Sequence, residues 1–115
     1  MKPLPTGLNL KEITLYTESE NLKEGMTVSL DSNGKAVLSI SNTRFIGICT
    51  KVNGNYITVA VSGVVTVPYT GQISTYGYEF LSADGSGNIK FNATGETEYL
   101  IFDIDEENHL ITFML

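Results

Sequence analysis

The sequence contains an internal repeat of one strand-and-turn pattern. Residues 25–35 read GMTVSLDSNGK, and residues 77–88 read GYEFLSADGSGN. A lone two-stranded unit is only marginally stable, so tandem β units are expected to bury their apolar faces against each other. The repeat, at about 25–67 and 77–115, therefore predicts an all-β fold, a small β-barrel or β-roll built from two similar halves.

Each copy of the pattern leads into a predicted hairpin. The first hairpin covers residues 45–59 with its turn at 53–55, and the second covers residues 99–113 with its turn at 106–108. The first turn contains Asn53-Gly54, a pair that accepts the positive φ angles of a tight hairpin turn. We expect little or no helix, because no window of ten or more residues shows a helical apolar stripe.

The longest apolar run, residues 56–68, is too rich in β-branched residues to form one two-faced strand. We expect it to cross from one sheet to the other, with Gly63 as the bend or bulge and Pro68 as its end. The connection that follows, residues 69–77, carries the chain into the second copy.

The N-terminal residues include two prolines and a glycine close together, unlike the strand-forming segments that follow. Pro3, Pro5 and Gly7 disfavour regular structure, which predicts an extended arm over residues 1–12. A short strand follows at residues 13–18, where the alternation of apolar and polar residues begins. The remaining residues, 13–115, are predicted to form a single β domain.

Composition excludes several classes of protein. A length of 115 residues fits one domain, and 42% hydrophobic with 17% charged residues is typical of a folded chain. The net charge of −6, with seven scattered Lys and Arg residues, argues against a nucleic-acid partner. We predict no membrane partner and no signal peptide, because no apolar run is long enough for either, and we expect synthesis in a cytoplasm.

The chain has few residues suited to catalysis or metal binding. Cys49 and His109 are the sole cysteine and histidine, and we interpret Cys49 as a buried apolar residue and His109 as part of a hairpin end. An acidic group at the second hairpin lacks the glycine of a calcium loop and is interpreted as a solvated tip: Asp103, Asp105, Glu106 and Glu107. We therefore predict no catalytic residues, no cofactor and no metal site.

Tyrosines are the best candidates for a binding surface. Tyr69, Tyr76 and Tyr78 lie close together in sequence around the connection between the repeats. Exposed tyrosines anchor protein partners or stack on sugars, although the same residues could instead cap the core of a domain without tryptophan. Tyr16, Tyr56 and Tyr99 lie in predicted strands and are expected to be half-buried.

From residue 45 onward the chain resembles a known family. The residues that carry the resemblance are Gly47-Ile48, GNYITVAVSGVVTV at 54–67, GYEF at 77–80 and DGSGN at 84–88, followed by an apolar C-terminal strand. This pattern is similar to that of the small β-rich head decoration, or capsid cement, proteins of tailed bacteriophages. The resemblance covers about seventy of the 115 residues, and no family pattern is evident in residues 1–44.

The resemblance implies a non-enzymatic structural protein of the virion. Such a protein would bind the major capsid protein on the outer surface of the head, as a homotrimer, and stabilise the assembled shell. The partner-binding residues would then be Pro3, Leu4 and Pro5 of the arm together with Tyr69, Tyr76 and Tyr78. The alternative is a carbohydrate-binding or adhesion module, such as a head-fibre base or tail accessory protein, and an enzyme is the third reading.

Overall fold

The strands follow the turn and hairpin signals of the sequence closely. The computed structural model describes residues 10–73 and 76–115, so the predicted arm residues Pro3, Leu4 and Pro5 lie outside the described residues. Within the described part the chain contains no helix, which confirms the all-β prediction. Its strands are β1 Lys11–Tyr16, β2 Thr27–Leu30, β3 Ala36–Leu38, β4 Gly47–Asn53, β5 Tyr56–Ser62, β6 Val64–Pro68, β7 Gly77–Ala83, β8 Ile89–Phe91, β9 Glu98–Asp105 and β10 Leu110–Met114.

These strands form two five-stranded antiparallel sheets with the same topology. The first sheet has the order β1-β5-β4-β2-β3 and the second has the order β6-β10-β9-β7-β8, so each strand of one sheet has a counterpart five strands away in the other. β1, β3, β6 and β8 stand at the ends of their sheets. The described strands are therefore not closed into a barrel, and the prediction of a barrel or roll is not confirmed.

The chain passes between the sheets at Gly63, as the sequence predicts. β5 belongs to the first sheet and β6 to the second, and the intervening Gly63 has a φ of 110°, which glycine adopts without strain. β6 occupies the place in the second sheet that β1 occupies in the first. The first structural unit thus ends at Ser62, whereas the first copy of the repeat was predicted to extend to residue 67.

The N-terminal boundary also differs from the prediction. β1 begins at Lys11 and ends at Tyr16, so residues 11 and 12, assigned to the arm, belong to the sheet. β1 pairs with β5 along its length, with a register shift between Lys11 and Glu12. Pairing with β5, which begins forty residues after β1 ends, extends the strand beyond its locally alternating residues.

The centre of the first sheet is buried on both faces. Ile48 pairs with Ala60, and the next pair is Cys49 with Val59, so the two pairs point to opposite sides of the sheet. Cys49 and Val59 belong to a core cluster made within the first half, completed by Leu22, Val28, Ala36 and Ile57. Ile48 and Ala60 instead join Phe45 in a cluster dominated by the second half, whose members include Val65, Tyr69, Leu81, Tyr99, Ile101, Ile111 and Phe113.

The two copies of the repeated turn are built by the same hydrogen bonds. Asp31 Oδ1 accepts the backbone N–H groups two and four residues later, at 2.8 and 2.9 Å. Asp84 Oδ1 accepts the equivalent groups at 2.7 and 3.0 Å. The duplication is therefore present in the detailed geometry of the turns as well as in the strand order.

Candidate interaction surface

Two of the three predicted tyrosines lie at the surface. Tyr78, in β7, has 67% of its side chain exposed, and Tyr76, just before that strand, has 55% exposed. Aromatic side chains with this much exposure are available to pack on a partner. Tyr76 and Tyr78 are therefore the starting point of the candidate surface.

Tyr69 is not part of that surface, because it lies in the core, the alternative that the sequence left open for these tyrosines. Only 4% of its side chain is exposed, and it belongs to the core cluster of the second half. The pairing continues past Pro68: the Tyr69 N–H donates to the His109 carbonyl at 3.0 Å, and Tyr69 bridges to Ile89. This extension directs the Tyr69 ring inward, where burial, together with the nearby negative charges of Glu106 and Asp105, raises the pKa of its hydroxyl.

Tyr78 begins an apolar row that crosses three neighbouring strands. It pairs with Leu100 of β9, and Leu100 pairs with Met114 of β10. Residues directly opposite each other in antiparallel strands point to the same face. Met114 is 41% exposed and Leu100 is partly buried, so the row forms an open apolar strip on the second sheet.

This strip lies in a groove of about 660 Å³ between the two halves of the chain. We call it the Tyr78 groove. Ile46, Val61 and Leu115 contribute further apolar side chains, and the polar residues Arg44, Thr97 and Glu98 also line it. Its volume falls within the range of sites that bind small molecules or short peptide segments.

The Tyr78 groove is anchored to the core through Tyr99. The Tyr99 ring stacks on Phe45, with the centroids 5.3 Å apart and the planes 9° from parallel. Burial raises the pKa of the Tyr99 hydroxyl, and the neighbouring Arg44 guanidinium, which hydrogen-bonds to it, acts in the opposite direction. The Arg44 side chain is thus tied to the groove, whose lining also includes Glu98.

A second cavity of about 480 Å³ adjoins the groove and shares Arg44 and Thr97 with it. We call it the polar pocket. The Asn92 carboxamide donates to Ser82 Oγ at 3.2 Å at one side. Hydroxyl, amide and carboxylate side chains dominate the remaining lining, which includes Asn42, Thr43, Thr94 and Glu96.

The first sheet carries an exposed aromatic pair outside the predicted tyrosine surface. Tyr16 and Tyr56 face each other across β1 and β5, with ring centroids 5.6 Å apart and a T-shaped arrangement. Tyr56 was expected to be half-buried but is 55% exposed. Lys35 Nζ lies 5.9 Å from the centroid of the Tyr16 ring and also forms an ion pair with Glu18.

The residues with reactive side chains lie apart from the Tyr78 groove. Cys49 is buried, as expected, and its burial raises the pKa of the thiol. His109 is exposed at the β9–β10 turn with a φ of 53°. Asp103 differs from the solvated tip predicted for it, because it is buried in β9. Within residues 10–73 and 76–115, no three His, Cys, Asp or Glu side chains form a group that could hold a metal ion.

No protein-family model matches the chain, and no curated protein matches it significantly in sequence. Among the residues that the structure describes, no helix has the length and apolar character needed to cross a membrane.

Leu100, Met114 and Ile46 are surface residues that sequence reasoning missed. One signal was present: residues 99–101 are three consecutive apolar residues in β9, so both faces of that strand are apolar at this point. A strand with one solvated face would alternate. The position of Met114 beside Leu100 depends on the strand register, which the sequence does not reveal.

Proposed function

We propose that this chain is a non-enzymatic capsid decoration protein, which binds the major capsid protein on the outer surface of an assembled phage head as a homotrimer. The observation that best supports the proposal is the exposed strip of Tyr78, Leu100 and Met114 in the Tyr78 groove. Open apolar grooves with a polar rim are typical of protein interaction sites. The resemblance of residues 45–115 to decoration proteins selects the class of partner.

The composition of the Tyr78 groove is suited to binding a protein surface. Tyrosine is enriched among the residues that dominate binding energy, and such residues lie beside pockets with a polar surround. Arg44 and Glu98 supply opposite charges at the same groove, so they can fix the orientation of a bound segment. Tyr76 extends the aromatic surface along the chain towards the connection between the two halves.

A decoration protein of this kind would act by mass action on assembly. If its binding surface on the shell exists only when several capsid subunits are in place, each bound copy stabilises the assembled state over the dissociated one. No reactive group is required for this activity. The exposed arrangement of the Tyr78 groove and Tyr76 is compatible with such a role.

The test is binding to expanded heads assembled from a major capsid protein encoded beside this chain. Mass photometry of the pure protein should show a trimer, and co-sedimentation should show saturable binding to the heads. Tyr78→Ala should weaken binding by about tenfold or more, as expected for a central tyrosine. Tyr56→Ala is the matched control, because it removes a tyrosine of comparable exposure, 55% against 67%, from the other sheet.

Two outcomes would contradict the proposal. A strict monomer that does not co-sediment with heads would exclude capsid decoration. Equal effects of Tyr78→Ala and Tyr56→Ala would leave capsid binding in place but exclude the Tyr78 groove as its site. Deletion of residues 1–7 should preserve the fold and weaken head binding, in keeping with the predicted role of Pro3, Leu4 and Pro5.

A carbohydrate-binding or adhesion module is the second candidate, and the polar pocket favours it. Its amide, hydroxyl and carboxylate side chains lie next to the aromatic Tyr78 groove, a combination suited to hydrogen bonding and stacking with a sugar. A glycan array distinguishes the two functions. Binding to a defined glycan that is lost in Tyr78→Ala or Tyr76→Ala, without binding to heads, would support the carbohydrate-binding alternative.

A further inference from the structure

We propose that the outer edge of β1 pairs with the same edge of a second copy of this chain, antiparallel and centred on Thr14. The two first sheets, each of five strands, then join into one continuous sheet. This contact is separate from the Tyr78 groove and does not depend on binding to a capsid. If the pure protein is the trimer proposed above, the β1 contact is made between trimers.

The outer edge of β1 is open to solvent. β1 has a neighbouring strand on one side only, and all its side chains except that of Leu15 are exposed. The other outer strands of the described residues are at least partly covered. In β3, the Ala36 carbonyl accepts a hydrogen bond from the Thr17 hydroxyl at 2.8 Å. In β8, the Ile89 carbonyl accepts one from the Thr70 N–H at 2.8 Å, and most of β6 is buried. β1 is therefore the outer strand most accessible to a strand from another molecule.

Alternate residues of β1 direct their backbone groups away from β5. The Thr17 N–H donates to the Asn55 carbonyl at 2.8 Å, just beyond the end of the paired strands. Because hydrogen-bonded and non-bonded pairs alternate in an antiparallel ladder, the odd-numbered residues of β1 bond to β5. The N–H and C=O groups of the even-numbered residues point outward: Glu12, Thr14 and Tyr16. Two β1 strands that meet with Thr14 opposite Thr14 use all three residues and form about six backbone hydrogen bonds.

The register centred on Thr14 also brings compatible apolar side chains together. Residues directly opposite each other point to the same face, so Ile13 of each copy meets Leu15 of the other. Leu15 packs against the core cluster of the first half, and Ile13 is 42% exposed beside it. The contact therefore extends this cluster from one copy to the other and covers Ile13.

The charges on the opposite face favour the same register. There Glu12 of each copy meets Tyr16 of the other, and Lys35 Nζ lies 5.9 Å from the centroid of the Tyr16 ring. The Glu12 carboxylate of one copy is thus brought towards the Lys35 ammonium group of the other, and the two-fold symmetry makes this contact twice. A shift of two residues would instead set Glu12 opposite Glu18, which is a repulsive pair of like charges.

The contact is expected to be weak in dilute solution. One short strand from each copy forms an interface smaller than about 1,200 Å², the lower end of the range for stable complexes. The net charge of −6 on each copy adds a long-range repulsion that salt reduces. We therefore expect a dissociation constant above about 10 μM, so that pairing depends on a high local concentration of copies.

Sedimentation equilibrium over a series of concentrations, at about 0.15 M salt, tests the contact. The weight-average mass should rise with concentration above that of the species present at high dilution. Thr14→Pro removes the central outward N–H but no hydrogen bond to β5, and it should weaken association by about tenfold or more. Thr14→Ala is the matched control, because it keeps the N–H, and it should change the association constant by less than about threefold. Circular dichroism establishes that both variants fold.

A charge exchange tests the register. Glu12→Lys and Lys35→Glu should each weaken association by about fivefold, as expected for two exposed ion pairs. The double variant has the net charge of the parent and should restore association to within about twofold of it. Absence of this restoration would contradict the placement of Glu12 beside Lys35.

Amide hydrogen exchange measured by NMR tests the edge in the unmodified chain. The amides of Glu12, Thr14 and Tyr16 should exchange rapidly at low concentration and slowly at high concentration, whereas those of Ile13 and Leu15 should be protected at both. No concentration dependence of mass or exchange would overturn the proposal, as would equal association in Thr14→Pro and Thr14→Ala. Protection of the even-numbered amides at every dilution would also overturn it. Loss of capsid binding would leave these readouts unchanged, so the two proposals are tested separately.

Discussion

The rings of Phe45 and Tyr99 stack across the boundary between the two halves of the chain, with centroids 5.3 Å apart. Phe45 lies in the segment before β4, and Tyr99 lies in β9. Both rings also make edge contacts with Phe113, whose centroid is 6.3 Å from that of Phe45 and 5.4 Å from that of Tyr99. This aromatic group connects the first half to the main core of the second.

We predict that Phe45→Ala lowers the free energy of unfolding by about 3 to 5 kcal/mol, because it leaves a cavity where the halves meet. Phe102→Ala is the control, since Phe102 is 38% exposed in β9, and it should cost clearly less. Urea unfolding followed by circular dichroism measures both values. Similar losses in the two variants would show that the Phe45 contact does not join the halves energetically.

Asp84 is predicted to make stability depend on pH. Burial tends to raise the pKa of its carboxyl, but hydrogen bonds from Ser86, Thr70 and Asn88 outweigh burial and lower it. The carboxylate therefore contributes fully above the unfolded pKa of about 3.8, and the contribution is lost as the pH falls through the lower folded-state pKa.

Asp84→Asn should accordingly lower the free energy of unfolding by about 1 to 2 kcal/mol at pH 7. The difference from the parent should shrink as the pH falls below about 3.8 and through the lower folded-state pKa, because the variant has no carboxylate to protonate. Urea titrations at several pH values measure this. Glu107→Gln at the exposed β9–β10 turn is the control, and a difference that stays constant with pH would refute the assigned role of Asp84.

Gly47 is predicted to be required for packing. A Cβ at this position would lie 2.2 Å from the Ala60 carbonyl oxygen and 2.7 Å from Val59 Cγ1. Gly47→Ala therefore forces β4 and β5 apart and should cost about 3 kcal/mol or more. Thermal unfolding at fixed pH measures the loss.

Gly54→Ala separates packing from backbone conformation. Gly54 has a φ of 63° at the first hairpin turn, and a Cβ there would meet no heavy atom within 4 Å. Its replacement should cost only about 1 kcal/mol, the ordinary conformational penalty. If Gly47→Ala proved no more destabilising than Gly54→Ala, the close contact between β4 and β5 would not be the reason for Gly47.

Cys49 is predicted to react only after unfolding. The side chain is 1% exposed, and burial raises its thiol pKa, so the reactive thiolate is scarce in the folded chain. A thiol reagent such as DTNB should modify Cys49 slowly in buffer and rapidly in denaturant. Lys51→Cys in a Cys49→Ala background is the exposed control, and native Cys49 reacting as fast as that control would contradict its burial.

The turns and the change of sheet could be predicted from the sequence because each depends on a few neighbouring residues. Asn53-Gly54 specifies a tight turn between β4 and β5, and Gly63 marks the point where an apolar run changes sheet. The Asp31 and Asp84 turns are likewise set by side chains that bond to the next few backbone N–H groups.

The candidate site was less predictable because it depends on contacts between distant strands. Tyr69 follows a proline and looks like a loop residue, but its pairing with the backbone of His109 directs the ring into the core. The row of Tyr78, Leu100 and Met114 requires β7 and β10 to flank β9 in one register. Alternation within a strand cannot specify which strand lies beside it.

The matching strand orders of the two sheets, joined at Gly63, have a consequence for how such a molecule can diversify. Because both copies lie in one chain, they meet at a local concentration that does not depend on how much protein is expressed. The contact between the copies therefore does not need to be self-complementary. The residues on the exposed face of each sheet can then change independently of those on the other sheet. One now presents the exposed pair Tyr16 and Tyr56 and the other presents Tyr78 and Met114, so the two faces differ in a way that a symmetric pair of identical subunits could not.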